Sequence, residues 1–316
     1  MNFFRHTVLP IVAAFIWGTA FVSQVQGSKT LDAFSFNMAR SVVASIFLFF
    51  VAWGVRAWRK QSALKKGTYV ELTPAQKKDR WKALLVSGLI CGTMLTVAAN
   101  LQQAGIALSG AGKSGFITAL YVVLVPVLGI FLKKRVPARV WISVLIAVIG
   151  LYLLSIKPGE FTITRGDFLL ILCALAFAFQ IMTIDRYSLL VNGIELSCVQ
   201  FAVVAIESGI LMLLFSDVSL ADFTAVIGPI LYAGILSSGV AYTLQIIGQK
   251  NFNPTIAAMI MSLESVISAV ASYFAYRMGF LTQDQSMTAV QILGCLIMFC
   301  SVIFVQLPFD KLRQKH

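Results

Sequence analysis

Leu101-Gln102-Gln103-Ala104-Gly105 returns 143 residues later as Leu244-Gln245-Ile246-Ile247-Gly248. The same offset lays Ala98 on Ala241 and Leu120-Tyr121 on Leu263-Glu264 with no gap. Nearer the N-terminus an offset of 160 lays Ala14-Phe15-Ile16-Trp17-Gly18 over Ala174-Leu175-Ala176-Phe177-Ala178, and Arg40 over Gln200. Each match is short. Together they divide the chain into two related halves, 1–156 and 166–307.

Both halves are built for lipid. Of the 316 residues 59% are hydrophobic and 12% charged, about half the charge of an ordinary soluble domain. A bilayer core about 30 Å thick takes about 20 apolar residues at about 1.5 Å each. The sequence offers ten such stretches: 7–28, 33–55, 83–107, 114–132, 140–156, 168–184, 196–216, 225–249, 251–276 and 286–307. Five spans per half is an odd number, so the second half enters the membrane from the opposite side. The predicted fold is all-α and integral to the membrane, ten transmembrane helices in two inverted five-helix repeats. Inverted repeats place substrate sites near the midplane between the halves.

The net charge of +12 does not point to nucleic acid, because the basic residues lie between apolar runs and not on one solvated face. They report orientation instead, since basic loops stay cytoplasmic. With the N-terminus inside, the inner segments hold 19 lysines and arginines and the outer loops five. A plasma (inner) membrane protein with both termini cytoplasmic is expected. The one long separator, 56–82, reads as a basic cytoplasmic loop with nine basic and two acidic residues, near enough to touch anionic headgroups. Arg5 ahead of an apolar run looks like a secretory signal, but no small-x-small cleavage site follows, so the first helix is read as uncleaved. The five cysteines lie within apolar runs and are expected as buried thiols.

The repeat and four local stretches give the chain a family resemblance. Trp17-Gly18-Thr19, Arg40, the run Gly112-Lys113-Ser114-Gly115-Phe116-Ile117-Thr118-Ala119-Leu120-Tyr121-Val122-Val123-Leu124-Val125-Pro126, and Ser262-Leu263-Glu264-Ser265 resemble the drug/metabolite transporters built from paired EamA-type domains. The resemblance implies ten helices, transport of a small metabolite, commonly export, and a cavity enclosed by helices 1, 3, 4, 6, 8 and 9. The sequence departs from the family at Ser265, where proline is frequent, and at Arg135 and around Met278-Gly279-Phe280, where an acidic residue is frequent.

Three charges fall inside the apolar spans, Arg40, Glu207 and Glu264, and a charge at the bilayer centre costs at least about 2.5 kcal/mol. Glu264 lies mid-span with Tyr121 as its repeat partner, which suits substrate binding or proton relay better than a structural carboxyl. Arg40 and Glu207 have similar depths, so an ion pair or structural clamp stands beside a substrate contact. Lys113, within Ser109-Gly110-Ala111-Gly112-Lys113-Ser114, is no phosphate loop, because Ala107 stands where the motif needs glycine. A charge snorkelling at the lip and a contact for an anionic substrate are its two readings. Asn100, Gln102, Gln103 and Gln245 need partners in hydrocarbon. Gln102 and Gln245, near opposite faces, are candidate gates, with plain interhelical bonding as the alternative. Trp17, Phe177 and Tyr242 line an aromatic cavity or serve as packing. Pro126 and Pro229 are candidate kinks.

No Ser-His-Asp set and no zinc-spaced cluster is apparent, so neither cofactor, metal nor catalytic residue is expected. The expected function is secondary active transport of a small zwitterion such as an amino acid, by alternating access with proton coupling, and export as the direction. The alternative is an integral-membrane enzyme or lipid-modifying protein. The expected partners are a small-molecule substrate and the lipid bilayer, with a homodimer left open and nucleic acid not expected.

Overall fold

The computed structural model describes residues 4–133, 136–155, 163–282 and 286–306. Among these the regular structure is helical throughout, with no strand. Ten rods follow in order: α1 (Phe4–Gly27), α2 (Ala33–Lys65), α3 (Pro74–Ser109), α4 (Ala111–Phe131), α5 (Ala138–Ser155), α6 (Arg165–Tyr187), α7 (Gly193–Phe215), α8 (Ile227–Gln249), α9 (Pro254–Arg277) and α10 (Ala289–Gln306). Among the described residues nine are long and apolar enough to cross a membrane, and α5 is the shorter tenth. A six-residue helix, Leu220–Ala225, precedes α8.

Equivalent residues start equivalent helices. Asp32 accepts hydrogen bonds from the Phe34 and Ser35 amides to cap α2, and Asn192, 160 residues on, accepts from the Ile194 and Glu195 amides to cap α7. Each side chain satisfies donors that a helix start leaves without partners. The expected loop 56–82 is mostly helix. α2 runs on to Lys65 and α3 begins at Pro74, after a capping box between Thr73 and Gln76, so only 66–73 connects them. Charge stops a segment from burying in lipid. It does not stop a lysine- and arginine-rich helix from continuing into water.

α3 packs along α6 and α2 along α7, while α1 meets α9 and α5 meets α10. All four pairs join one half to the other. Their repeat symmetry shows at two close approaches. Gly105 of α3 presses on Leu170 and the Gly166 carbonyl of α6, and Gly248 of α8 presses on Pro10 and the Arg5 carbonyl of α1. A side chain on either glycine would collide there. Gly92 meets Val203 and the Gln200 carbonyl, and Gly234 meets Val43 and the Arg40 carbonyl. Gly92 to Gly234 is an offset of 142, whereas Gly105 to Gly248 is 143. Between them the second half contains one additional residue, and there α8 widens into a π-helix, Tyr232–Ala241. A π-bulge takes up an inserted residue without turning the rest of the helix off its face.

Two sequence expectations change here. Pro229 makes no kink, because α8 starts at Ile227 and the missing proline N–H falls in the first turn, where no helical partner exists. The thiols are not all buried: Cys91, Cys173 and Cys295 are, Cys198 is half-buried and Cys300 is exposed. An apolar run places a residue at membrane depth but does not say which side of the helix faces lipid.

Candidate functional site

Two helices are interrupted at matching positions. α4 tightens after Thr118 and resumes at Tyr121; α9 tightens after Met261 and resumes at Glu264. Each step is 143 residues from its counterpart. In α9 the Ser262 hydroxyl donates to the Met259 carbonyl at 2.7 Å and the Ser265 hydroxyl to the Ser262 carbonyl at 2.8 Å. Such local bonds compete with the regular helical ladder and favour a tight turn. Tyr121 and Glu264 therefore open half-helices at the centre of the bundle, an arrangement typical of transporter binding sites.

Both line one narrow cavity between the halves, of about 30 Å³, room for about two waters. α1 contributes Trp17, Phe21 and Gln24; α2 contributes Arg40; α3 and α4 contribute Gln102 and Tyr121. From the other half come Phe177, Gln180 and Ile181 of α6, Ser237, Tyr242 and Gln245 of α8, and Met261 beside Glu264 on α9. Trp17 stands edge-on to Tyr242, with centroids 4.7 Å apart, and Tyr242 edge-on to Phe201 at 5.3 Å. The Trp17 indole donates to the Ser237 carbonyl at 3.3 Å. Ser237 lies in the π-helix, so the position of its carbonyl is set by the wider turn.

Glu264 is 4% exposed and Arg40 2%. The Tyr121 hydroxyl faces Glu264 without completing a hydrogen bond. Arg40 donates from Nη1 to Gln24 Oε1 at 3.3 Å, and its buried Nε has no acceptor. Of the readings open for Arg40 and Glu207, the ion pair does not form. Glu207 is half-buried on α7 and accepts from the Thr93 hydroxyl at 2.6 Å. Equal depth along two helices did not put the two side chains on facing surfaces.

Of the residues singled out from sequence, Trp17, Arg40, Gln102, Tyr121, Phe177, Tyr242, Gln245 and Glu264 meet at the cavity. Two lie elsewhere. Lys113 Nζ pairs with Asp167 Oδ2 at 2.7 Å, and Ser109 donates to Asp167 Oδ1 at 2.9 Å, fastening α3 and α4 to the start of α6. Asn100 accepts from Asn37 Nδ2 at 3.0 Å and donates to Ser208 Oγ at 3.0 Å, a bond between helices. Gln102 and Gln245, the candidate gates, both line this one cavity. The cross-helix amide bonds nearer the two ends come from their neighbours: Gln103 donates to the Gln24 carbonyl at 3.0 Å, joining α3 to α1, and Gln249 to the Ile181 carbonyl at 2.7 Å, joining α8 to α6. Gln24, Gln180 and Gln249 were overlooked in the sequence, although they give the same signal as Gln102, an amide within an apolar span.

A duplicated ten-helix bundle with a polar cavity at its seam is the architecture of a multi-pass membrane transporter. The sequence pattern of the EamA-like transporter family matches twice, over residues 7–156 and 164–307, and the chain belongs to that family. An uncharacterized transporter of Archaeoglobus fulgidus is 29% identical over 300 residues, covering 94% of this chain and 84% of the relative. A solved crystal structure shares the fold with a TM-score of 0.67 at 15% identity, covering 97% of this chain and 98% of the other.

Proposed function

We propose that the protein is a secondary active exporter of a small zwitterionic metabolite, an amino acid or a close analogue, working by alternating access between its inverted halves. One observation supports this most: a buried guanidinium and a buried carboxyl line the same cavity without pairing with each other. In this reading the substrate carboxylate takes the free Arg40 Nε and the substrate amine takes Glu264, supplying each buried charge with the partner it lacks. Trp17, Phe177 and Tyr242 hold the remainder of the substrate. The cavity is too narrow for such a molecule, so binding requires one half to swing from the other. Proton exchange at Glu264 supplies the driving force.

Counterflow into proteoliposomes loaded in turn with each member of an amino-acid panel tests the substrate class. Zwitterions with an apolar side chain should exchange, while the matching amine or carboxylic acid alone should not. Exchange of the single-charge analogues at the same rate would reject the two-point site. Orientation follows from the basic residues, with both termini and the 66–73 turn cytoplasmic in the inner membrane. A cysteine placed at position 68 should resist an impermeant thiol reagent in intact cells and react once the membrane is opened. Labelling from outside would reverse the topology.

A further inference from the structure

The cleft between the helical extensions of α2 and α3 and the α6–α7 turn has no part in the proposed transport cycle. At about 1.5 Å per residue, Arg56 and Lys60 lie beyond the 20 residues of α2 that fill a bilayer core of about 30 Å, at headgroup height. Trp81 lines the cleft, and Trp53 and Trp58 lie on the same stretch of α2; all three are more than half exposed, as aromatic side chains are at a membrane interface. The cleft consists of two adjoining chambers of about 270 and 360 Å³ that share Arg56, Lys60, Tyr69, Arg80 and Glu195.

Its charge is unbalanced. Glu195 Oε1 accepts from Arg56 at 2.8 Å and from Arg80 at 2.7 Å, and Oε2 from Arg80 at 2.9 Å. Both arginines are still about half exposed, and each has more donors than one carboxylate uses. Lys60 stands over the Tyr69 ring at 5.6 Å, and Arg59 lines the cleft with no hydrogen bond or ion pair to the described residues. Lys77 of the second chamber is paired with Glu71 at 2.9 Å, so five cations face two carboxylates. Glu195 fixes two of them in place, which lowers the entropic cost of presenting their remaining donors to a ligand.

We propose that this cleft is a binding site for the phosphodiester headgroup of an anionic phospholipid of the adjoining leaflet. Arg59 and Lys60 meet the phosphate, and Arg56 and Arg80 direct their spare N–H groups to it. Ala52, Val55 and Ile194 form the wall on the membrane side. That apolar wall favours a lipid over a soluble phosphate compound, since it gives the glycerol and upper acyl carbons a surface to cover. A choline headgroup would bring a quaternary ammonium among the cations, so phosphatidylcholine should bind poorly.

Thermal unfolding of the purified protein in an uncharged detergent decides the matter. Phosphatidylglycerol should raise the melting temperature by about 2–4 °C, with phosphatidylcholine and inorganic phosphate at the same concentration giving no rise. R59Q/K60Q should melt like the unmutated protein without lipid and lose the rise. K65Q/K66Q removes equal charge from the same extension outside the cleft and should keep it. The proposal fails if phosphatidylcholine stabilises equally, or if K65Q/K66Q loses the effect as fully as R59Q/K60Q. An equal rise with inorganic phosphate would overturn the lipid assignment in favour of a free-phosphate site. Should the double variant not fold, R59Q alone, with roughly half the loss, serves in its place.

Discussion

Glu264→Gln is expected to abolish uptake driven by a proton gradient in proteoliposomes, while the protein still folds and, at a raised substrate concentration that offsets the lost amine contact, still shows exchange without a gradient. Glutamine keeps the size and hydrogen-bonding capacity of the carboxyl and removes only its titration. At 4% exposure no bulk solvent carries the charge for it, so the group changes state only by binding a proton or a cation in the cavity. If its role is solely to hold the substrate amine, exchange and driven uptake fall together, because affinity is lost in both modes. The two roles are therefore separated by one comparison. Affinity, rate and pH dependence all unchanged would show that the carboxyl is structural, and the mechanism built on it falls. Arg40→Gln is the useful companion, since it removes the opposite charge without touching the proton step.

Much of this site was legible because its residues break rules that lipid enforces. Glu264, Arg40, Gln102 and Gln245 are expensive at membrane depth, so their presence alone marks them. The repeat then paired Glu264 with Tyr121, and both open half-helices in the bundle centre. What the sequence hides is rotation. A span's boundaries give depth, while the face of the helix depends on packing that low-contrast apolar sequences encode weakly. Arg40 and Glu207 illustrate this, matched in depth and turned to different neighbours. Lys113 does too, drawn to Asp167, a residue that reads locally as the third position of a capping box with Thr164. The extensions of α2 and α3 were missed for a different reason. Hydropathy ends where water begins, and helices do not.

Deleting Leu236 is expected to leave a folded protein that no longer transports. The argument starts from the change of repeat offset across Tyr232–Ala241, from 142 at Gly234 to 143 at Gly248. Because the π-helix absorbs one residue, taking one out should restore a regular α-helix with Gly234 still against Val43 and Gly248 still against Pro10. Leu236 is 38% exposed, so its removal opens no large hole in the core. Stability should change little, and a melting temperature close to that of the unmutated protein checks this. The local loss is specific. Removing the neighbouring residue turns the Ser237 carbonyl away, so the Trp17 indole loses its acceptor, and the aromatic group of Trp17, Tyr242 and Phe201 loses the bond that sets its orientation beside Glu264. A π-bulge is also a poorer ladder than an α-helix, a place where a rod bends at low cost as the halves move apart. First-half α3 has no such insertion, so in the proposed cycle α8 is the helix expected to bend. Undiminished transport by the folded deletion variant would show the inserted residue to be a neutral relic of the duplication. A variant that cannot fold would place the bulge in the scaffold instead, and Trp17→Phe, which removes only the indole donor, would then decide between the two: transport lost with stability kept assigns the bond to function.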